Sequence, residues 1–475
     1  MIKKITCTPL FVIVLVNLIL KLTLFCYLTP WDKTVESTKI VVSDSKGYEQ
    51  VAENLLHYRT FAPLKDTVNI NNYSDYQAIG FIMYHPDSWM MPIYPVFLST
   101  VYSVVGIKPY IAILIQILLS LISVLLVFRI CILLFENNKI ATIASILFAL
   151  DIHSIYSSNE LLTDTLFVLL LLGGIYYFLK GILSGRLSVI CLGSVFMGLA
   201  CLTRLLVLLY PFVLIIILFG FAKQTREWKF KAVLSYILIF TLMNGLWSFR
   251  NHNYYGHWQL TTHGGWTLLM FNTSLTKTKI THENIDSIRV SFQKQADSMG
   301  FRRSTDLFNQ SEIYQKVASK YIMQHKEMYF FTNIEGGLNM FLSLGNMGMA
   351  KTFGWTKEAP DGTLAELSPQ RILKNFSSNT KETVLGLVII LILALQYIGA
   401  FYGILKSVFA RNFMFLTTAL LTMLYFLFVT GILGNYRFKL PIVPFICILA
   451  GYGYFKMLRS ERDTPLYIID DAAKK

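Results

Sequence analysis

The chain has 475 residues and a net charge of +14; 54% of its residues are hydrophobic and only 15% are charged. Soluble domains carry roughly 25% charged residues, and several apolar runs here reach about 20 residues, the length that crosses a bilayer. The composition therefore excludes an ordinary soluble domain and indicates a polytopic membrane protein. The basic residues are scattered over short loops, so we interpret them as determinants of membrane orientation and exclude a nucleic-acid partner.

The first apolar segment, "TPLFVIVLVNLILKLTLFCYLTP", follows "MIKK". It is too long for a signal peptide and no small-residue cleavage site follows it, so we interpret it as a retained first helix. Further apolar segments predict an all-α fold with about ten transmembrane helices. The predicted spans lie near 6–28, 110–135, 139–157, 161–181, 187–203, 205–222, 231–249, 383–405, 412–434 and 437–456.

The distribution of basic residues predicts the orientation of these spans. With both termini inside, residues 29–109 and 250–382 lie outside. The apolar stretch 90–106 is short for a span and would invert every later loop if it crossed, so we interpret it as an interfacial helix. The inner segments would then hold Lys3, Lys4, Lys139, Lys180, Arg186, Lys223, Arg226, Lys229, Lys231, Lys406, Arg411, Lys456, Arg459 and Arg462.

Two amphipathic stretches lie in the second outer region, "HENIDSIRVSFQKQADSMGFRR" and "NQSEIYQKVASKYIMQHKEMYFF", and "TKEAPDGTLAELSPQ" reads as a loop. They predict outer loop helices and a small extracytoplasmic cap. The chain then divides into a catalytic transmembrane core, 1–249, which includes the outer loop 29–109, a cap, 250–382, and C-terminal transmembrane helices with a basic cytoplasmic tail, 383–475.

Several common catalytic motifs are missing from the sequence. It contains no GxxxxGK(S/T) loop, no GxSxG and no HExxH, which argues against ATP-driven transport, serine hydrolysis and zinc proteolysis. The six cysteines form no CxxC pair, so neither disulfides nor cysteine–metal sites are indicated.

Three acidic residues are predicted at the outer membrane face. Asp44 follows the first span, and Glu160 and Asp164 lie in "YSSNELLTDTLF" at the outer start of the fourth. Their spacing of four residues predicts that Glu160 and Asp164 share one face of a helix. An acid within an apolar helix is costly and is therefore a functional hypothesis. The alternative is a carboxylate solvated by lipid headgroups.

Four basic residues are predicted at the same face: Arg204, Arg250, Arg437 and Lys439. The positive-inside rule disfavours basic residues in short outer segments. A phosphate site would account for them, since guanidinium matches phosphate oxygens in a bidentate way; the alternative is snorkelling at helix ends. Together, the acids and arginines favour a general base beside a lipid-linked phosphate leaving group.

The chain also resembles the bacterial GT-C glycosyltransferases, which include protein O-mannosyltransferase-like enzymes and the lipid A aminoarabinose transferases. The resemblance covers most of the chain. It rests on the order and spacing of "SDSKGYEQVAENLL", "MPIYPVFLSTVYSVVG", "ALDIHSIYSSNELLTDTLF", "GLACLTR", "RNHNYYGHWQLTTHGGWTLLMFN" and "YRFKLPIVPF".

This resemblance implies that Asp44, the acid after the first helix, is catalytic and that the donor is a polyprenyl-phosphate sugar used outside the membrane. Ser45 stands where the family often has a second acid, so Asp164 is the candidate for the second carboxylate. Met91 stands before Pro92, where aminoarabinose transferases commonly have a lysine, which argues against a specific lipid A assignment.

We therefore predict an inverting glycosyltransferase of the bacterial cytoplasmic membrane, with its active site on the outer face and an envelope lipid, glycan or protein as acceptor. Tyr48, Tyr94 and Glu160 are candidates to line the sugar or lipid groove. No cofactor is indicated, and the need for a divalent metal is left open. The alternative is a transporter or flippase of a lipid-linked or anionic solute, which would use the same charges without bond cleavage.

Overall fold

The computed structural model describes residues 7–32, 43–62, 87–303, 306–355, 380–410 and 413–458. Throughout these residues the regular secondary structure is helical, without a strand, which confirms the predicted all-α fold. Six of the described helices are long and apolar enough to cross a membrane, and shorter apolar helices accompany them. The predicted positions Lys3, Lys4, Arg411, Arg459 and Arg462 and the predicted loop 356–370 lie outside the described residues.

The described α-helices are numbered here in chain order. They are Cys7–Leu28 (α1), Ser43–Tyr58 (α2), Ile93–Val105 (α3), Pro109–Phe135 (α4), Asn138–Ala149 (α5), Ile152–Ser157 (α6), Asp164–Ser184 (α7), Leu187–Thr203 (α8), Tyr210–Phe221 (α9), Arg226–Tyr255 (α10), His263–Thr267 (α11), Ser274–Thr281 (α12), Ile285–Ser298 (α13), Leu307–Gln324 (α14), Lys326–Leu342 (α15), Asn346–Thr352 (α16), Thr380–Phe409 (α17), Phe413–Thr430 (α18), Tyr436–Lys439 (α19) and Val443–Leu458 (α20).

All ten predicted spans coincide with helical structure, but some are interrupted. The predicted span 139–157 is divided between α5 and α6, because the Asp151 side chain accepts a hydrogen bond from Ser154 N at 2.8 Å and so caps a new helix. The predicted span 437–456 is divided between α19 and α20, where Pro441 has no backbone N–H with which to continue α19. The second interruption leaves α19 as a single helical turn before α20.

Buried polar contacts and close backbone packing hold the bundle together. Lys21 of α1 is 1% exposed and donates from Nζ to Ser120 Oγ of α4 at 2.6 Å. Glycines bring α17 and α20 into contact, since a Cβ on Gly453 would overlap the carbonyl oxygen of Gly399. Small residues of this kind are typical of tightly packed transmembrane helices. The close contact therefore holds α20 against α17.

The segments between the spans are also helical. The apolar stretch 90–106 contains α3, which has 13 residues, fewer than a span needs, and packs against α2. The amphipathic stretches of 250–382 form α13 and α14, and the second runs on into α15. Residues of this region pack into a hydrophobic core that is separate from the core of the bundle. The cap with the boundaries 250–382 stays a prediction. The fully or nearly buried members of this separate core include Leu269, Ile288, Phe292, Phe301, Tyr314 and Ala318.

Candidate active site

Two arginines and two aspartates from four separate segments form an ion cluster at one end of the bundle. Asp164, the first residue of α7, is 1% exposed. One of its carboxylate oxygens accepts a hydrogen bond from Arg204 Nη1, and the other accepts one from Arg437 Nη2 at 3.0 Å. Asp164 therefore holds two guanidinium groups in fixed positions.

Asp44 completes the ion cluster from its exposed side. It is the second residue of α2, and its side chain is 56% exposed. Its Oδ2 lies 3.7 Å from Arg437 Nη1, an ion-pair distance too long for a hydrogen bond. Arg437 Nε is buried and has no hydrogen-bond partner among the described residues. The cluster therefore presents one accessible carboxylate beside a guanidinium with an unused donor.

Local structure explains why these side chains meet. Asp164 begins a helix, where the partial positive charge of the helix N-terminus stabilises an acid. Arg204 follows the last residue of α8 in an extended conformation, φ −146°, and its guanidinium lies 5.5 Å from the centre of the Phe438 ring. The side chain of Asn435 caps α19 by accepting a hydrogen bond from Arg437 N at 2.9 Å.

Glu160 lies beside the ion cluster, but the prediction that it shares a helical face with Asp164 is wrong. The chain from 158 to 163 is not α-helical, and α7 begins only at Asp164. Glu160 is 4% exposed, and its Oε2 has no hydrogen-bond partner among the described residues. Burial raises the pKa of Glu160 to about 7, against the opposing charge of Arg437 and with the support of Asp164. Glu160 can therefore change its charge near neutral pH.

The two predicted groove tyrosines adjoin the acids. The rings of Tyr48, one turn after Asp44, and Tyr94 meet edge to face with centroids 5.1 Å apart. Burial, and then the charge of Asp44, raise the pKa of Tyr48 to about 12. Tyr94 is fully buried and donates to Gln116 Oε1 at 2.5 Å, while Gln116 Nε2 donates to the Glu160 carbonyl at 2.9 Å. Tyr94 is therefore connected to Glu160 through Gln116 in the protein interior, whereas Tyr48 is only half-buried.

Arg250 and Lys439, the other predicted phosphate ligands, have different surroundings. Arg250 donates to the Asp87 carbonyl at 2.7 Å and to the Phe61 carbonyl at 3.2 Å, so it connects α10 with the chain between α2 and α3. Lys439 is 0% exposed, and its Nζ has no hydrogen-bond partner among the described residues. The titratable neighbours of Lys439 include His153 and Asp151. Those of Arg437 include Asp164, Asp44 and Glu160.

The sequence reasoning missed Asp87 and the tryptophan that follows it. The Asp87 carboxylate accepts hydrogen bonds from Trp89 N at 3.0 Å and Met90 N at 2.9 Å. Burial raises the pKa of Asp87 to about 6, although these hydrogen bonds oppose the shift. An acid two residues before an aromatic side chain and five before a proline, in "DSWMMP", was the available signal, since Asp commonly caps such turns.

The ion cluster does not fit a metal. Among the residues that the structure describes, no group of three or more His, Cys, Asp or Glu side chains could hold a metal ion. Both carboxylate oxygens of Asp164 face arginine donors, and Arg437 also faces Asp44. The guanidinium groups of Arg204 and Arg437, both in contact with Asp164, would repel a divalent cation bound to that carboxylate. Asp164 and Asp44 are therefore paired with arginines.

The chain is similar in sequence to one protein family and in structure to solved membrane enzymes. Residues 85–247, which include Glu160, Asp164 and Arg204, match the model of the dolichyl-phosphate-mannose-protein mannosyltransferase family. The structure is similar to the oligosaccharyltransferase AglB of Archaeoglobus fulgidus in complex with an inhibitory peptide and a dolichol-phosphate, with a TM-score of 0.51 and 14% identity over 95% of this chain and 50% of that one. The apo form of the Archaeoglobus fulgidus oligosaccharyltransferase gives a TM-score of 0.52 and 15% identity over 96% and 51%.

The chain has the GT-C fold. It spans about half the length of the archaeal GT-C enzyme that it matches. A looser likeness is to ArnT from Cupriavidus metallidurans bound to undecaprenyl phosphate, with a TM-score of 0.39 and 12% identity over 94% of this chain and 78% of that one. No curated protein matches the sequence significantly.

Proposed function

We propose that the protein is an inverting membrane glycosyltransferase that moves a sugar from a polyprenyl phosphate to an extracytoplasmic lipid, glycan or protein. One observation carries this proposal: an accessible carboxylate, Asp44, lies 3.7 Å from a guanidinium, Arg437, whose Nε has no partner among the described residues. A base for a hydroxyl and a ligand for a phosphate are thus adjacent.

The unused donors of Arg437 fit the phosphate of the donor. Asp164 holds Nη2 at 3.0 Å, which leaves Nε and the loosely engaged Nη1 for phosphate oxygens. A phosphate bound there would replace Asp44 as the partner of Nη1. Donor binding would then release the Asp44 carboxylate next to the reacting sugar.

In the proposed reaction, Asp44 takes the proton of an acceptor hydroxyl as general base. The acceptor oxygen forms a bond with the anomeric carbon, the bond from that carbon to the phosphate oxygen breaks, and its electron pair leaves with the lipid phosphate. Arg437, with Arg204 behind Asp164, stabilises the charge that develops on the phosphate. Attack opposite to the leaving group inverts the anomeric centre.

A lipid-linked donor fits this location because the ion cluster lies at the end of apolar helices, where a polyprenyl tail has apolar surroundings. The matching family is described by its dolichyl-phosphate-mannose donor, and AglB was solved with a dolichol-phosphate. We assign the site to the outer face of a bacterial cytoplasmic membrane on the positive-inside pattern of the loops. A transporter would place such charges nearer the membrane midplane, and no observation here favours one.

Mass spectrometry of envelope lipids, glycans and proteins from cells with and without this protein tests the proposal. We expect one envelope component to lose a single sugar in the deletion strain. Complementation with wild type should restore that sugar, and complementation with Asp44→Asn should not. Identical envelopes in all strains would contradict the proposed function.

A further inference from the structure

Three aromatic side chains meet beside the ion cluster, and the chemistry described above does not use them. Trp89 comes from the first outer loop, and His263 and Trp266 come from α11. The Trp89 ring lies 4.4 Å from that of His263 and 5.3 Å from that of Trp266, between centroids, and His263 and Trp266 are 5.8 Å apart. We call these residues the aromatic triad.

The two backbone segments that carry the aromatic triad are fastened together. Thr261 Oγ1 donates to the Trp89 carbonyl at 2.8 Å, and Thr262 N donates to the Ser88 carbonyl at 2.9 Å. The Asp87 carboxylate fixes the loop from the other side through the backbone N–H groups of Trp89 and Met90. The backbone positions of Trp89 and of the start of α11 are therefore held together by hydrogen bonds within the protein.

The aromatic triad is open on one side and lies near the catalytic acid. His263 is exposed, Trp89 is half-buried, and a Cβ atom at Gly264 would meet nothing within 4 Å. The charges of Asp44 and Arg204 both reach the His263 imidazole. Four residues after Met90, Tyr94 contacts Tyr48 one turn from Asp44, so the loop that holds Trp89 leads directly to the ion cluster.

One member also has an unused hydrogen-bond donor. Trp266 Nε1 is buried and has no partner among the described residues. Buried indole N–H groups usually have a partner, so this one suits a hydroxyl supplied by a ligand. An aromatic surface with a few polar groups at its edge is the composition of a small-molecule site.

We propose that the aromatic triad is the sugar subsite of the donor, with the C–H face of the sugar ring packed on Trp89 and a sugar hydroxyl on Trp266 Nε1. This inference rests on the proposed function. A sugar ring has one face of C–H groups and a rim of hydroxyls, which matches an indole face bordered by an imidazole and an indole N–H. With the phosphate on Arg437, the sugar would lie between Asp44 and the aromatic triad.

Binding of lipids with and without a sugar separates this role from others. The probes are a short polyprenyl phosphate and the same lipid carrying mannose, glucose, galactose or aminoarabinose, measured on full-length protein in nanodiscs. Wild type should bind at least one sugar-bearing lipid more tightly than the bare lipid. Trp89→Ala should lose roughly tenfold in affinity for that lipid, about 1.4 kcal/mol, with unchanged affinity for the bare lipid, and Trp89→Phe should lose less.

Trp258 provides the matched control. Its ring stacks on His252 at 4.3 Å and is 60% exposed, and Trp258→Ala should bind both lipids like wild type. Equal losses for bare and sugar-bearing lipid in Trp89→Ala would overturn the sugar subsite and indicate a membrane anchor. Unchanged binding in Trp89→Ala, or a wild type that does not distinguish the lipids, would also overturn it. A wild type that binds neither lipid would refute the proposed function itself, and the subsite with it.

Discussion

Substitution of Arg437 separates the phosphate role from a structural one. Arg437 Nη2 lies 3.0 Å from Asp164, Nη1 lies 3.7 Å from Asp44, and Nε has no partner among the described residues. Loss of one donor to a developing oxyanion typically costs about 10²–10³ in rate. We therefore expect Arg437→Ala to lower kcat by about that factor. Lysine keeps the charge but loses the planar fork, so Arg437→Lys should fall between wild type and alanine.

Stability must be measured beside activity, because Arg437 also pairs with a buried acid. Breaking a fully buried pair costs about 3–5 kcal/mol, and Arg204 still pairs with Asp164 in the variant, so the loss of unfolding free energy should be smaller. Thermal unfolding in detergent gives the folded fraction, and turnover of a lipid-linked sugar is normalised to it.

Arg289→Lys is the matched control for Arg437. Arg289 is 16% exposed, donates to the Met270 carbonyl at 2.9 Å and pairs with Asp286 at 3.2 Å, within the region 250–382. It should retain normal turnover per folded molecule. Near-normal turnover per folded molecule in Arg437→Ala would exclude Arg437 as a phosphate ligand and assign that role to another cation.

Three further outcomes follow from the same geometry. Asp44→Asn should lower turnover by about 10²–10⁴ without weakening donor binding, since Asp44 competes with the phosphate for Arg437; weaker binding of lipid phosphate in a titration would contradict this. Asp164→Asn should lower the unfolding midpoint more than Asp44→Asn, because Asp164 is 1% exposed and Asp44 is 56% exposed; equal midpoints in a thermal melt would count against Asp164 as the anchor. Because the pKa of Glu160 is raised to about 7, Glu160 is neutral below that pH and negatively charged above it. The negative charge near Arg437 would oppose binding of the donor phosphate, so the affinity of wild type for the donor should fall severalfold from pH 6 to 8. The affinity of Glu160→Gln should not change over that range.

Much of the ion cluster could be predicted from the sequence. Residues at the predicted outer ends of several spans had to lie at one end of the bundle, which brought Asp44, Asp164, Arg204 and Arg437 into consideration together. The topology alone could not reveal which arginine pairs with which acid. That pairing depends on where α7 and α19 begin, and such boundaries are set by local caps such as Asn435.

The predictions that failed or diverged have local physical causes. Glu160 does not share a helical face with Asp164, because α7 begins four residues after it. Lys439 is two residues after Arg437 in a one-turn helix, and residues at that spacing point in different directions. Arg250 lies one turn before the end of α10, which continues to Tyr255, and its side chain donates to the Asp87 carbonyl and not into the ion cluster.

Product analysis in proteoliposomes distinguishes sugar transfer by Asp44 and Arg437 from transport of the intact lipid. Purified protein, a lipid-linked sugar and candidate acceptors are incubated, and mass spectrometry follows the sugar and the lipid phosphate. We expect wild type to release free polyprenyl phosphate and to form a glycosylated acceptor of inverted anomeric configuration, and Asp44→Asn to do neither. Movement of the intact lipid-linked sugar across the bilayer without cleavage, by wild type and Asp44→Asn alike, would contradict this expectation.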